Sequence, residues 1–112
     1  LPQLADVLAP GAKLALISSK MGSMGARNST SSWLYRASKA AANSVLKDIS
    51  IEWAGRAVCV SFHPGWVRTD MGGASADLAV EDSVAGMRRV IAGLATQDNG
   101  RFLNYDGSEI PW

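Results

Sequence analysis

The 112-residue chain is poor in the residues that mark several large functional classes. It has one cysteine and one histidine, so no internal disulfide forms within it and no Cys/His zinc cluster can be assembled from it. It has no excess of either charge: 11 Lys plus Arg stand against 10 Asp plus Glu, a net charge of +1. That balance removes the basic face of a nucleic-acid binder and the cationic patch of a membrane-surface protein. No run approaches the ~18 apolar residues of a membrane span. The opening Leu1-Pro2-Gln3-Leu4 carries neither the basic segment nor the long apolar run of a secretory leader, and a cytoplasmic location is expected. Internal repeats and low-complexity linkers are also missing. What is present is a globular composition, 47% hydrophobic and 19% charged, which argues against disorder. At this length it supplies one domain at most, with a modest core. The first residue is not Met, and the chain opens inside an amphipathic segment. The expectation is therefore a piece of something longer.

Apolar residues at Leu1, Leu4, Ala5 and Leu8 predict the tail of a helix over 1–8, ended by Pro10-Gly11. Residues 13–19 (KLALISS) form an apolar run of strand length, and the Gly/Ser-rich stretch 21–33 reads as a loop. Over 34–54, Ala41, Ala42, Val45, Leu46, Ile49 and Trp53 follow i, i+3, i+4 spacing and predict a helix. Ser31 or Ser32 is its expected cap, and Gly55 its end. Residues 57–63 (AVCVSFH) are nearly all apolar, the pattern of a strand buried on both faces of a parallel sheet. A second helix is predicted over 80–95, with Val84, Met87, Ile91 and Leu94 as its stripe and Glu81 and Asp82 in its first turn. A third short strand follows over 101–105. The order makes two right-handed β–α–β crossovers and an α/β fold with a parallel sheet, three strands with helices on both faces, roughly half of a doubly wound domain.

Three segments carry candidate chemistry. Tyr35 and Lys39 stand four residues apart at the start of the first long helix, close to one turn, and so leave the same face. A free phenol ionises near ~10 and is a poor acid or base at neutral pH, but an ammonium beside it favours the phenolate. A tuned phenol can exchange a proton with a carbonyl or alcohol oxygen. The spacing alone is weak evidence and fits a solvated helix start better. Ile17-Ser18-Ser19 ends a buried strand, where open α/β sheets place their ligands; the plain alternative is a strand-to-loop serine. His63-Pro64-Gly65-Trp66-Val67-Arg68-Thr69-Asp70 ends the next strand. There a Pro-Gly turn lets backbone groups approach a flat ligand, or simply turns the chain.

Together these segments resemble the short-chain dehydrogenase/reductase family. The resemblance rests on ISS at 17–19, YRASK at 35–39 and HPGWVRTDMGG at 63–73, in the family's order, and it covers nearly the whole chain. The ending RFLNYDGSEIPW is similar to that of the sniffer-like and bacterial C-factor-like members. The resemblance implies the C-terminal half of a Rossmann-type sheet, and an NAD(P)(H)-dependent oxidoreductase that interconverts a small-molecule carbonyl and alcohol by hydride transfer. It implies Tyr35 as acid/base, and Lys39 favouring its phenolate and holding the nicotinamide ribose. Ser19, in preference to Ser18, would orient the substrate carbonyl. Pro64, Gly65 and Val67 would line the nicotinamide pocket, with Val67 backbone groups on the carboxamide and Thr69 on the carboxamide or phosphate. NADP is expected over NAD, no metal is expected, and pairing of two copies through the helix starting at Tyr35 is expected.

The departures matter as much. The family's Thr-Gly-x-x-x-Gly-x-Gly turn, which cradles the pyrophosphate at a helix N-terminus, does not occur here; Gly22 and Gly25 open a loop instead. The residue that selects NAD or NADP and the Asn of the family's tetrad are missing too. The expectation is that 1–112 is the nicotinamide side of one domain without its dinucleotide-binding part. The rival is a catalytically silent piece with an unpaired edge on its first strand, an invitation to association. Among the remaining residues, Cys59 is expected to be a buried, inert thiol and His63 structural. Trp53 is expected in the core, Trp66 on the substrate or the surface, and Arg88-Arg89 on a solvated helix face. Residues 71–78 are the expected lid.

Overall fold

The computed structural model describes residues 2–112; Leu1, the first residue of the expected helical tail, lies outside the described residues. The elements run β1 (Ala12–Ile17), α1 (Trp33–Glu52), β2 (Ala57–His63), α2 (Val80–Ala92) and β3 (Phe102–Asn104). The strands form one parallel sheet in the order β1-β2-β3. Its register sets Ala12 beside Ala57, Ile17 beside Phe62, and Ser61 beside Phe102. No helix among the described residues is long and apolar enough to cross a membrane.

Strand β2 explains the layering. Its side chains alternate between faces, as the period of two requires, and both faces are covered. Ala57 and Cys59 pack with Leu46 and Trp53 of the α1 side, joined by Leu14, Leu16 and Ile49. Val60 and Phe62 pack with Leu103, and Met87, Val90 and Ile91 of α2 close over them. Cys59, Val60 and Phe62 are fully buried, so the run 57–63 is a doubly covered strand. Burial also pushes the Cys59 thiol above its ordinary range, in keeping with an inert packing role.

Several local expectations are corrected. Pro2–Val7 winds as a 3-10 helix rather than the tail of an α-helix; six residues ahead of Pro10 are too few to repay α-helix nucleation. Ser32 stands at the N-cap of α1, but with a left-handed backbone (φ 56) and no capping bond from its hydroxyl. Ser31 does not cap by its hydroxyl either: its carbonyl accepts from Arg36 Nε at 2.7 Å, while Arg36 Nη2 donates to Ser29 Oγ at 2.7 Å. The guanidinium thus ties the loop to the helix start.

The inner face of α1 is more polar than its apolar spacing suggested. Asn43, Leu46 and Ser50 are buried, whereas Val45 is half exposed. Asn43 Oδ1 accepts from Ser61 Oγ at 2.8 Å, and the Ser50 carbonyl accepts from Asn99 Nδ2 at 2.8 Å. These bonds satisfy the Asn43 Oδ1 and the Ser50 carbonyl, and hold Val45 on the flank, while Asn43 Nδ2 is buried with no partner among the described residues. Helix α2 stops at Ala92, short of residue 95. Lys13 Nζ reaches from β1 to the carbonyls of Ile91 (2.7 Å) and Ala92 (3.1 Å), satisfying helix-end acceptors with a cation where the dipole favours one.

The two edges of the sheet differ. Beyond β3 the chain turns back, with Leu103 bridging Glu109 in antiparallel fashion and Ile110 N–H donating to the Phe102 carbonyl at 2.8 Å. Trp112 stacks on Phe102 at 5.4 Å between ring centroids. Beyond β1 no strand pairs among the described residues.

Candidate active site

The turn after β1 follows directly on the bond from the Ser18 N–H to the Phe62 carbonyl at 2.7 Å. Ser19 is buried, and its Oγ accepts the Met21 N–H at 3.1 Å, starting a single 3-10 turn over Lys20–Gly22. The Lys20 N–H donates to His63 Nδ1 at 3.0 Å, which ties the turn to the end of β2. Gly22 lies flat on α1: a Cβ there would sit 2.8 Å from the Lys39 carbonyl carbon. The absent side chain lets the serine turn meet the helix at Lys39.

On α1, Lys39 Nζ lies over the Tyr35 ring, 5.7 Å from its centroid, so the i, i+4 pair shares one face and a cation meets the ring's negative π-surface. Tyr35 remains 38% exposed, open to a reactant rather than sealed in the core.

The turn after β2 forms the facing wall. Gly65 has φ +88, and a Cβ there would lie 2.6 Å from Leu78 Cδ2 and 3.2 Å from the Tyr105 ring. Both the backbone conformation and the space select glycine. The Pro64 carbonyl accepts from Ser83 Oγ at 2.6 Å, so α2 holds this turn from behind. Gly86, one turn further along α2, presses on the Tyr105 carbonyl. The contact face of α2 therefore runs through Ser83 and Gly86, and Val84, expected in the buried stripe, is 43% exposed. Small residues are needed where the helix meets backbone.

Residues 66–78 close on themselves. Leu78 bridges Val67, with Arg68 N–H donating to the Leu78 carbonyl at 2.8 Å and Leu78 N–H to the Trp66 carbonyl at 3.2 Å. Thr69 Oγ1 accepts the Gly72 N–H at 3.1 Å, and Trp66 Nε1 donates to the Gly72 carbonyl at 2.9 Å. The far end of the expected lid is thereby stitched to the wall.

These turns and α1 enclose a cavity of about 1000 Å³, open to solvent. Ser19, Tyr35, Pro64, Gly65, Val67 and Thr69 all line it. Lys39 is not on the wall and stands behind the Tyr35 ring. Ser18 also lines the cavity; its Oγ is buried and finds no partner among the described residues. His63 lies on the wall as well, its imidazole held below the ordinary value by burial and by the nearby Lys20 charge. Trp53 is core and Trp66 is 54% exposed at the cavity.

Sequence reasoning missed Arg36, Ser83, Gly86 and Tyr105 as supports of this site. The available signals were slight: a small polar residue and a glycine at i, i+3 on the inner side of α2, and an arginine directly after the tyrosine.

No family model matches the chain. C-signal of Myxococcus xanthus is 46% identical over 101 residues, covering 89% of this chain and 61% of that protein. Among solved structures, carbonyl reductase Sniffer of D. melanogaster superposes with a TM-score of 0.86 at 38% identity, covering 96% of this chain and 46% of that one. An NADPH-bound carbonyl reductase from chicken fatty liver superposes at 0.84 with 35% identity, covering 98% and 47%. The chain thus spans roughly half the length of the proteins it matches, somewhat more for C-signal.

Proposed function

We propose that the chain, a member of the short-chain dehydrogenase/reductase family, forms the C-terminal, catalytic, nicotinamide-side half of a carbonyl reductase or alcohol dehydrogenase. The observation that carries this reading is that Ser19 and Tyr35 line the same cavity, with the Lys39 ammonium against the Tyr35 ring.

Each residue then has a task. Ser19 Oγ already accepts the Met21 N–H, which leaves its own proton to donate to a substrate carbonyl oxygen. Tyr35 Oη gives its proton to the same oxygen as the alcohol forms, and takes it back in oxidation. Lys39 sets a positive charge 5.7 Å from the ring centroid, beside the phenol that exchanges the proton. The facing wall fits a flat ring: Gly65 presents no side chain, and the Val67 N–H finds no acceptor among the described residues. Pro64, Gly65 and Val67 would hold a nicotinamide, with the Val67 N–H on its carboxamide and Thr69 beside it. When bound, that cofactor supplies the hydride. NADP over NAD is part of the proposal, supported by the NADPH-bound relative. So are a cytoplasmic setting and pairing of two copies through α1, whose Trp33 and Leu34 are 75% and 87% exposed.

In the full-length protein, addition of a carbonyl substrate should consume NADPH absorbance. Tyr35→Phe should cut that turnover by roughly 10²–10⁴-fold and leave the fold intact. Turnover near the wild-type rate in the variant would sink the mechanism.

One observation favours a second reading for the chain by itself. The open edge of β1 adjoins an apolar notch of about 240 Å³ between β1 and α1, lined by Leu14, Leu16, Val45 and Ile49 among others. On this reading residues 1–112 alone bind the dinucleotide weakly and associate through the notch. Titration of the 112-residue chain with NADPH separates the two, since micromolar binding contradicts the second.

A further inference from the structure

The sole histidine is assigned to structure by the reading above, yet it touches the backbone of the residue next to the candidate catalytic serine. We propose that His63 is a positioning residue for Ser19, holding the Ser19–Gly22 turn in place by accepting the Lys20 N–H at Nδ1. The inference rests on the reductase reading for its consequence, though not for its geometry.

Both ends of the turn are anchored, by the Ser18 N–H on the Phe62 carbonyl at 2.7 Å and by Ser23 Oγ on the Pro111 carbonyl, so what remains is how its middle is held. One face carries the Ser19 Oγ bond to Met21 N–H at 3.1 Å, which is internal to the turn. The other face is the steric contact of Gly22 with the Lys39 backbone. Between those anchors, the 3.0 Å bond from the Lys20 N–H to His63 Nδ1 is the side-chain link from this turn to the wall across the sheet end. Accepting at Nδ1 requires the neutral imidazole with its proton on Nε2. Protonation turns Nδ1 into a donor aimed at another donor, so the bond is lost and the turn is freed on that side. The groups around the ring define the electrostatics. Lys20 faces it from the turn, and Tyr35 and Arg36 of α1 share its cavity wall. β3 places Asn104 beside it in register, Tyr105 follows that strand, and α2 contributes Ser83, Val84 and Met87 to the wall, none of which titrates. Burial first, and the Lys20 charge second, hold the imidazole below its ordinary value, so at neutral pH the ring is in the accepting form.

The test separates the bond from the activity. In the ¹⁵N-labelled protein, the Lys20 amide resonance should titrate together with the His63 ring, and hydrogen exchange at Lys20 and Met21 should accelerate on the acid side. His63→Asn offers Oδ1 near the place of Nδ1 and should keep both amides protected with no acid-side change. His63→Ala should lose that protection. In the turnover assay, kcat of His63→Ala should fall by roughly ten- to a hundredfold with cofactor KM unchanged, and His63→Asn should restore it with a flattened acid limb. A Lys20 amide indifferent to the His63 ring, or an unchanged kcat in His63→Ala, overturns the proposal. If no substrate is turned over at all, the amide measurements still decide whether the bond exists, and the reductase reading fails separately.

Discussion

The two walls of the cavity do their work with different parts of the chain. The wall from β1 and α1 presents side-chain groups, the Ser19 hydroxyl and the Tyr35 phenol, with the Lys39 ammonium behind. The wall from β2 and α2 presents backbone and small surfaces, Pro64, Gly65 and Val67, braced by Ser83 and Tyr105. One wall therefore depends on which atoms are there, and the other on how closely the chain can approach. Changes of chemistry should hurt the first without unfolding it. Changes of volume should hurt the second by way of its shape.

The largest effect should come from Tyr35→Phe. Removing one oxygen costs roughly 10²–10⁴ in turnover while the thermal midpoint stays put, because Tyr35 is partly exposed and its ring remains. Gly65→Ala should show the opposite signature. A side chain at φ +88 costs about 1–2 kcal/mol, and the 2.6 Å approach to Leu78 adds to it. The midpoint should drop by several degrees and cofactor KM should rise more than kcat falls. If Gly65→Ala lowers kcat alone, the division between the walls is wrong.

Gly22→Ala sharpens the comparison, since it is a volume change on the chemical wall. Its Cβ meets the Lys39 backbone at 2.8 Å, an overpacking worth about 1–3 kcal/mol. Because that backbone cannot swing aside, the serine turn must move, and kcat should fall along with the midpoint in a denaturation and turnover series. Ser83→Ala should be milder. It leaves the Pro64 carbonyl without its donor, about 1 kcal/mol in urea unfolding, and raises cofactor KM with kcat nearly constant. The smallest effect is one of pH. His63 sits below its ordinary value in the fold, so the unfolded chain binds its proton first. Stability is then fully present above ~6.5 and declines as pH falls below that value toward the folded one. Urea midpoints measured across that range should show the decline in the wild type and lose part of it in His63→Asn.

Much of the layout was legible because it is periodic. The run 57–63 announced a strand covered on both faces, and β2 has one face under α1 and the other under α2. The Tyr35–Lys39 spacing placed both residues on one face of a helix, as found. Where the reading slipped, tertiary partners had overruled a local rule. Val45 and Val84 fit apolar stripes and are exposed, because Asn43 and Ser50, and Ser83 and Gly86, hold the close-contact positions. Ser31 and Ser32 fit a cap, and Arg36 took over the loop instead.

The sequence by itself determined the order of strands and helices, the burial of β2 and the residue types at the three strand and helix ends. Those depend on hydrophobic period and on glycine, proline and hydroxyl chemistry, which act over a few neighbouring residues. Only the tertiary structure decided that Gly22 seats the serine turn on Lys39, that Ser83 braces Pro64 and that Lys13 ends α2. Only it brought the Lys20 amide onto His63. These contacts join residues 17 to 79 positions apart, and their distances are set by how two helices settle on one sheet, which no local pattern encodes.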